Sequence, residues 1–130
     1  MKKLSIRNLI AIILFGLFSH VSVAQNPAAI EALREISRIV ASISHYPSDS
    51  DKISLKNISD NNSLPQGVRI IAGAVISINH SPSDESKQRM ARLQSAGRAP
   101  DQVKLLAKII ADFNHMPSDE DKETLSQLFF

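Results

Sequence analysis

Apolar residues recur at steps of three, four and three in three stretches of the chain, and the stretches lie 35 residues apart. The positions are Leu33, Ile36, Val40 and Ile43 in the first stretch, Val68, Ile71, Val75 and Ile78 in the second, and Val103, Leu106, Ile110 and Phe113 in the third. Such steps place the four residues of each stretch on one helical face. We predict amphipathic helices at about residues 27–44, 66–79 and 101–114, the last two preceded by Pro65 and Pro100.

Each predicted helix leads into an eight-residue motif with His, Pro, Ser, Asp and Lys at fixed positions. The shared residues are His45, Pro47, Ser48, Asp49 and Lys52, then His80, Pro82, Ser83, Asp84 and Lys87, and finally His115, Pro117, Ser118, Asp119 and Lys122. Proline disfavours helical geometry in the residue before it, whereas Ser followed by Asp suits a helix N-terminus. A second helix is therefore predicted to begin at each motif. Asp51 and Asp121 occupy the acidic position of a capping box, and Ser86 does not.

The second helices carry a narrower apolar stripe, sufficient to pack against the first helix of the same unit. Its residues are Leu55 and Ile58, Met90 and Leu93, and Leu125 and Leu128. Residues 60–63 and 95–98 between the units have turn compositions, and Gly97 suits a helix C-cap. The pattern predicts an all-α fold of three tandem helix-turn-helix hairpins with a 35-residue period, arranged as a short helical-repeat stack or a compact six-helix bundle.

The start of the chain is typical of a signal peptide. Lys2, Lys3 and Arg7 precede an apolar run, and small residues around Ala24 predict cleavage after it. This predicts a signal peptide at residues 1–24, with an uncleaved anchor as the alternative. One domain is predicted at residues 25–130, with units at about 27–60, 61–95 and 96–130. The basic excess of 15 Lys and Arg over 13 Asp and Glu is lost with that segment, so no nucleic-acid partner is expected.

The chain contains no Cys, and an exported domain without disulfides fits a bacterial periplasm, although secretion is also compatible with the signal. No membrane association is expected after cleavage. A Cys nucleophile, a Gly-rich phosphate loop and a His-Glu-x-x-His motif are all missing from the sequence. We therefore expect a protein that is not an enzyme and that needs no cofactor.

Capping and helix termination explain four of the five shared residues, but two interpretations remain for the His. The imidazole can bond to the carbonyls at the end of the helix, or to the Asp four residues on, and stiffen the turn. Alternatively, a divalent metal is bound by His45, His80 and His115, with or without Asp49, Asp84 and Asp119. Equivalent positions in a linear stack lie about 10 Å apart, whereas zinc needs ligand atoms about 2 Å from one point. A shared site thus requires the units to close around a pseudo-threefold axis, and otherwise each unit could form only a weak two-ligand site of its own.

The function expected from the sequence is the binding of a protein partner by an exported helical-repeat protein, as an inhibitor, immunity protein, chaperone or scaffold. The alternative is a periplasmic protein that binds a divalent metal through the repeated motif, and a third possibility is a self-associating helical module. Phe129 and Phe130 have no place in the apolar stripe of the last helix. They either fold back onto the third hairpin or form an exposed patch for a partner or a second copy.

Overall fold

A computed structural model describes residues 26–129 of the chain, with the side chains of residues 128 and 129 excepted. Within that range the protein is all-helical, as predicted. The helices are α1 (Pro27–Ser42), α2 (Asp49–Asp60), α3 (Gln66–Ile76), α4 (Asp84–Ser95), α5 (Asp101–Ala111) and α6 (Asp119–Phe129). The predicted signal peptide at residues 1–24, the residue Phe130 and the side chains of Leu128 and Phe129 lie outside the described residues. None of the described helices is long and apolar enough to span a membrane.

The second helix of each unit begins where the repeated Ser predicts it. The Ser48 hydroxyl accepts a hydrogen bond from the Asp51 N–H at 3.1 Å, and the Asp51 carboxylate accepts from the Ser48 N–H at 3.4 Å, which completes a capping box. The Ser118 hydroxyl accepts from the Asp121 N–H at 3.0 Å. These bonds satisfy backbone donors that have no partner within the helix.

Ser86 replaces the acidic capping residue in the middle unit because its position is buried there. The Ser83 hydroxyl still accepts from the Ser86 N–H at 3.1 Å. The Ser86 hydroxyl, however, lies 2.8 Å from the hydroxyl of Ser77 and 3.0 Å from that of Ser83. A carboxylate at this buried position would lose its hydration. The middle unit thus keeps the Ser83 cap, and a hydroxyl that finds hydrogen-bond partners in the interior replaces the carboxylate.

The second helices pair with different first helices from those predicted. In the first two units the second helix packs mainly on the first helix of the next unit, α2 on α3 and α4 on α5. Contact with the first helix of the same unit is slight for α2 and α6 and more extensive for α4. Residues 61–65 and 96–100 are short connections of the kind that join antiparallel neighbours. Helix α6 packs on α1 in the same sense. This contact joins the two ends of the array, so the units form a compact bundle and not a linear stack.

The core consists mainly of the apolar faces of the first helices. All twelve residues that defined the predicted stripes are buried. The second helices add Leu55, Met90 and Leu125, which are fully buried, while Ile58 and Leu93 are partly buried at the edge. Each second helix therefore contributes one central side chain, as its narrower stripe indicates.

Candidate metal site

The backbones of the three repeated His residues form a closed ring of hydrogen bonds. The N–H of His45 donates to the carbonyl of His115 at 2.5 Å, that of His115 to His80 at 2.5 Å, and that of His80 to His45 at 2.6 Å. Each His is both a donor and an acceptor, and every bond joins a different pair of units. The ring defines a pseudo-threefold axis through the turns. Residues that lie 35 apart in sequence are thereby direct neighbours in space.

Each turn requires a left-handed backbone at its His. The φ angles are 73° at His45, 67° at His80 and 66° at His115, and these are the positive-φ residues of the described chain. Around His115, the N–H of Met116 donates to the carbonyl of Asn114 at 2.7 Å, which closes a γ-turn. The predicted role of Gly97 as a C-cap is wrong, because α4 is capped by Ala96 at a φ of −72° and no described Gly has a positive φ.

The first helices end two or three residues earlier than predicted because of these turns. The observed last residues are Ser42, Ile76 and Ala111. The next residues already adopt the extended or turn geometry that leads into the ring. The polar residue before each His and the residue after it pair as an isolated bridge across that His. The chain therefore leaves the helix before it reaches the His, which stands at the centre of the turn.

The three imidazoles converge around the axis at the surface of the bundle. Their ring centroids are 5.1 Å apart for His45 and His80, 5.3 Å for His45 and His115, and 5.1 Å for His80 and His115. One ring nitrogen from each residue lies within 4.8 Å of those of the other two. The separation of about 10 Å predicted for a linear stack does not apply, because the units close around an axis. Of the residues described, this convergent group comprises the three His alone, without Asp49, Asp84 or Asp119.

Polar neighbours orient two of the rings. The Nδ1 atom of His115 lies 2.6 Å from the Oδ1 atom of Asn114, and Nδ1 of His45 lies 3.1 Å from the hydroxyl of Ser44. An amide oxygen only accepts hydrogen bonds, so among the two neutral tautomers this contact favours the one with the proton on Nδ1 and the lone pair on Nε2. A histidine that binds metal through one nitrogen commonly donates the other N–H to such a partner. Sequence reasoning missed Ser44 and Asn114, although a polar residue precedes the His in every motif.

The other shared residues of the motif have positions in the helix starts around the ring. Pro47, Pro82 and Pro117 are buried. Asp49, Asp84 and Asp119 stand in the first turns of α2, α4 and α6, at the positive end of each helix dipole. Lys52 places its ammonium group 5.9 Å from the ring centroid of Tyr46, while Lys87 and Lys122 are exposed. These residues surround the His without joining the convergent group.

The face of the bundle that carries the His ring is acidic. Residues 44–52, 79–87 and 114–122 together contain seven carboxylates and three lysines, and the ring brings these segments to one end of the molecule. Basic residues outnumber acidic ones in the rest of the described chain, by nine to six. Like-signed charge around a site raises the local concentration of counter-ions. The charge distribution therefore favours the approach of cations to the His.

This chain was compared with protein families, curated proteins and solved structures, and none of them matches it. The geometry of the His ring and its surroundings therefore carries the functional argument.

Proposed function

We propose that this protein binds a late first-row divalent metal ion, such as zinc or copper, through His45, His80 and His115. The observation that carries the proposal is the convergence of one ring nitrogen from each unit within 4.8 Å. Imidazole nitrogen is a preferred ligand of zinc, copper and nickel. The sequence alone left this function as the alternative, conditional on closure around a threefold axis, and that closure is now seen in the backbone ring.

The distances fit a metal after a small rotation of the rings. Zinc–nitrogen bonds of 2.0–2.1 Å in a tetrahedral site put ligand nitrogens about 3.3–3.5 Å from each other, somewhat closer than the 4.8 Å limit that bounds them here. The His80 and His115 side chains are exposed and that of His45 is at least partly exposed, so small rotations about their χ angles do not require the core to repack. The backbone ring meanwhile holds the three Cα atoms in place. With these three ligands at the surface, a bound ion would have a further coordination position open to solvent.

Backbone strain is a second argument for a function of the His side chains. Glycine is the residue that occupies a left-handed turn at little cost, whereas a residue with a Cβ atom there is destabilised by about 1–2 kcal/mol. In the described part of the chain three turns require that conformation, and all three contain His. Local strain of this kind is characteristic of functional sites. A turn that served only to reverse the chain would be better served by glycine.

Calorimetric titration of the chain from residue 25 with zinc and with copper tests the proposal. We expect one ion per chain, and a loss of affinity of at least about tenfold when His80→Gly removes one ligand. Ser81→Ala, at the neighbouring residue of the same turn, is the matched control and should bind the ion as the unchanged protein does. Absence of binding, or full affinity in His80→Gly, would refute the metal site.

A protein partner remains our second proposal, as does action in the periplasm or outside the cell. The observation that favours a partner is the exposure of Tyr46 and Met116, which are 59% and 54% accessible and directly follow His45 and His115. Large exposed apolar side chains beside a candidate site are typical of contact surfaces. The predicted patch at Phe129 and Phe130 stays a prediction, because those side chains lie outside the described residues.

A further inference from the structure

We propose that the metal-loaded His face docks a cationic peptide segment of a partner protein, and that a histidine of this segment occupies the open coordination position. This inference rests on the proposed metal site. It adds the class of ligand that would occupy the open coordination position. Three features of the face carry it: the position open to solvent, the acidic surroundings, and an acidic cleft with apolar walls beside His115.

The open coordination position would favour a neutral donor over an anionic one. Seven carboxylates stand in the motif segments around the axis against three lysines. The divalent ion would attract a partner carboxylate, but the surrounding carboxylates offset the charge of the ion and repel an anionic donor, since like charges brought together at an interface are unfavourable. A neutral imidazole is not repelled by the carboxylates, and it is a good ligand for the same metals. A histidine is therefore the side chain that suits both the metal and its surroundings.

A cleft of about 430 Å³ beside the third His supplies a place for a basic side chain. Its walls include the carboxylates of Asp112, Asp119 and Asp121 and the apolar side chains of Met116 and Pro117. Lys122 is the one basic residue among them. A lysine or arginine has an apolar stem and a cationic head, and these match the two kinds of wall. The cleft thus favours a basic residue next to the metal-binding histidine of the segment.

The cleft positions are most acidic in the third unit, because the first unit keeps two of the three carboxylates and the second keeps one. The position of Asp112 is occupied by Ser42 in the first unit and by Ser77 in the second, and the position of Asp121 is Ser86 in the second. Asp112 has only a loose, exposed ion pair, with 3.7 Å between its carboxylate and the Lys108 ammonium. Its charge is therefore available to a partner. This difference in charge between the units would give the bound peptide segment one orientation on a face that is otherwise pseudo-threefold.

The test uses the chain from residue 25 loaded with cobalt(II), whose absorption bands report ligand changes. Three synthetic peptides are titrated: one histidine flanked by lysines, the same histidine flanked by glutamates, and the lysine peptide with alanine in place of histidine. We expect the first to change the cobalt spectrum and to bind about tenfold more tightly than the second, which corresponds to 1.4 kcal/mol. The alanine peptide should leave the spectrum unchanged and bind weakly.

Two matched variants test whether the cleft carboxylates cause the preference for the lysine peptide over the glutamate peptide. Asp112→Ser introduces the residue of the other units and should reduce the preference for the lysine peptide about threefold, while cobalt loading stays within about twofold. Asp60→Ser removes a carboxylate at the far end of α2, where the next unit has Ser95, and should leave the preference unchanged. An unchanged preference in Asp112→Ser would refute the cleft as a basic subsite.

The failure of this inference can be told apart from the failure of the metal site. A protein that binds neither cobalt nor zinc nor copper before any peptide is added refutes both proposals. If cobalt loads but the histidine-lysine peptide leaves the spectrum unchanged, the docking inference alone is refuted. Equal binding of the lysine and glutamate peptides to the loaded protein would refute it as well.

Discussion

Within residues 26–129, three residues with a Cβ atom occupy left-handed backbone positions, and all three are the proposed metal ligands. The backbone ring needs this conformation for its geometry, but the N–H and carbonyl groups that form it are present in any residue except proline. The side chain is therefore not required for the turn. At the residue scale, the turn conformation and the metal site are separable: a substitution can remove the imidazole and keep the turn.

The first prediction follows from that separation. His80→Gly should leave the free energy of unfolding of the metal-free protein unchanged or raise it by up to about 1 kcal/mol, because the relief of strain offsets the greater freedom of the unfolded chain. His80→Val should instead lower it, since a β-branched residue is poorly tolerated at positive φ. Urea unfolding of both variants without metal checks this. A large loss of stability in the glycine variant would mean that the imidazoles themselves hold the bundle together.

Ser37 is a buried polar residue without a partner among the described residues. It is fully buried on α1, and its hydroxyl has no hydrogen bond within the described part of the chain. The equivalent positions are Ala72 and Ala107, both fully buried. We predict that Ser37→Ala raises the free energy of unfolding by about 1 kcal/mol, because an unsatisfied hydroxyl is removed from the core. Ser126→Ala, on an exposed helical position, measures the gain from helix propensity alone, and an equal gain in both would contradict the explanation.

At the scale of the elements, the sequence was a good guide to helices and a poor guide to their pairing. The apolar period at Leu33, Ile36 and Val40 locates α1, and Ser48 with Asp51 locates the start of α2, because each signal depends on neighbours within the same few residues. Which helix packs on α2 is decided by loop geometry and by closure of the whole array. A linear stack and a closed bundle bury the same stripes, so the convergence of the His could not be derived from the period.

The helix caps are the elements most open to a direct test. Ser118→Ala should lower the free energy of unfolding by about 1 kcal/mol, because the hydroxyl that accepts from the Asp121 N–H at 3.0 Å is lost. Thermal or urea unfolding measures the change, and Ser126→Ala in the same helix serves as the control for the general effect of the substitution. Equal behaviour of the two variants would show that the repeated Ser is not needed as a cap.

The whole molecule is closed by a contact between helices that no loop joins. Helix α6 packs on α1 in the same sense in which α2 packs on α3 and α4 on α5. A circular permutant that links α6 to α1 with the sequence of residues 61–65, and opens the chain within those residues, should therefore fold and bind zinc as the original does. Circular dichroism and calorimetry check this. Opening the chain between residues 43 and 48 is the contrast, and that permutant should lose zinc binding because the cut falls in the His ring.

The backbone ring also fixes the copy number of the repeat. An open helical array can gain or lose a unit by duplication or deletion, since each unit contacts only its neighbours and the ends remain free. In this protein every His donates to one unit and accepts from another until the cycle returns to its start. Deleting one unit would leave two members that cannot span the axis at the same spacing, and a fourth would have no place in the cycle. A change in the number of repeats would therefore break the cycle of three hydrogen bonds, whereas an open array tolerates such a change.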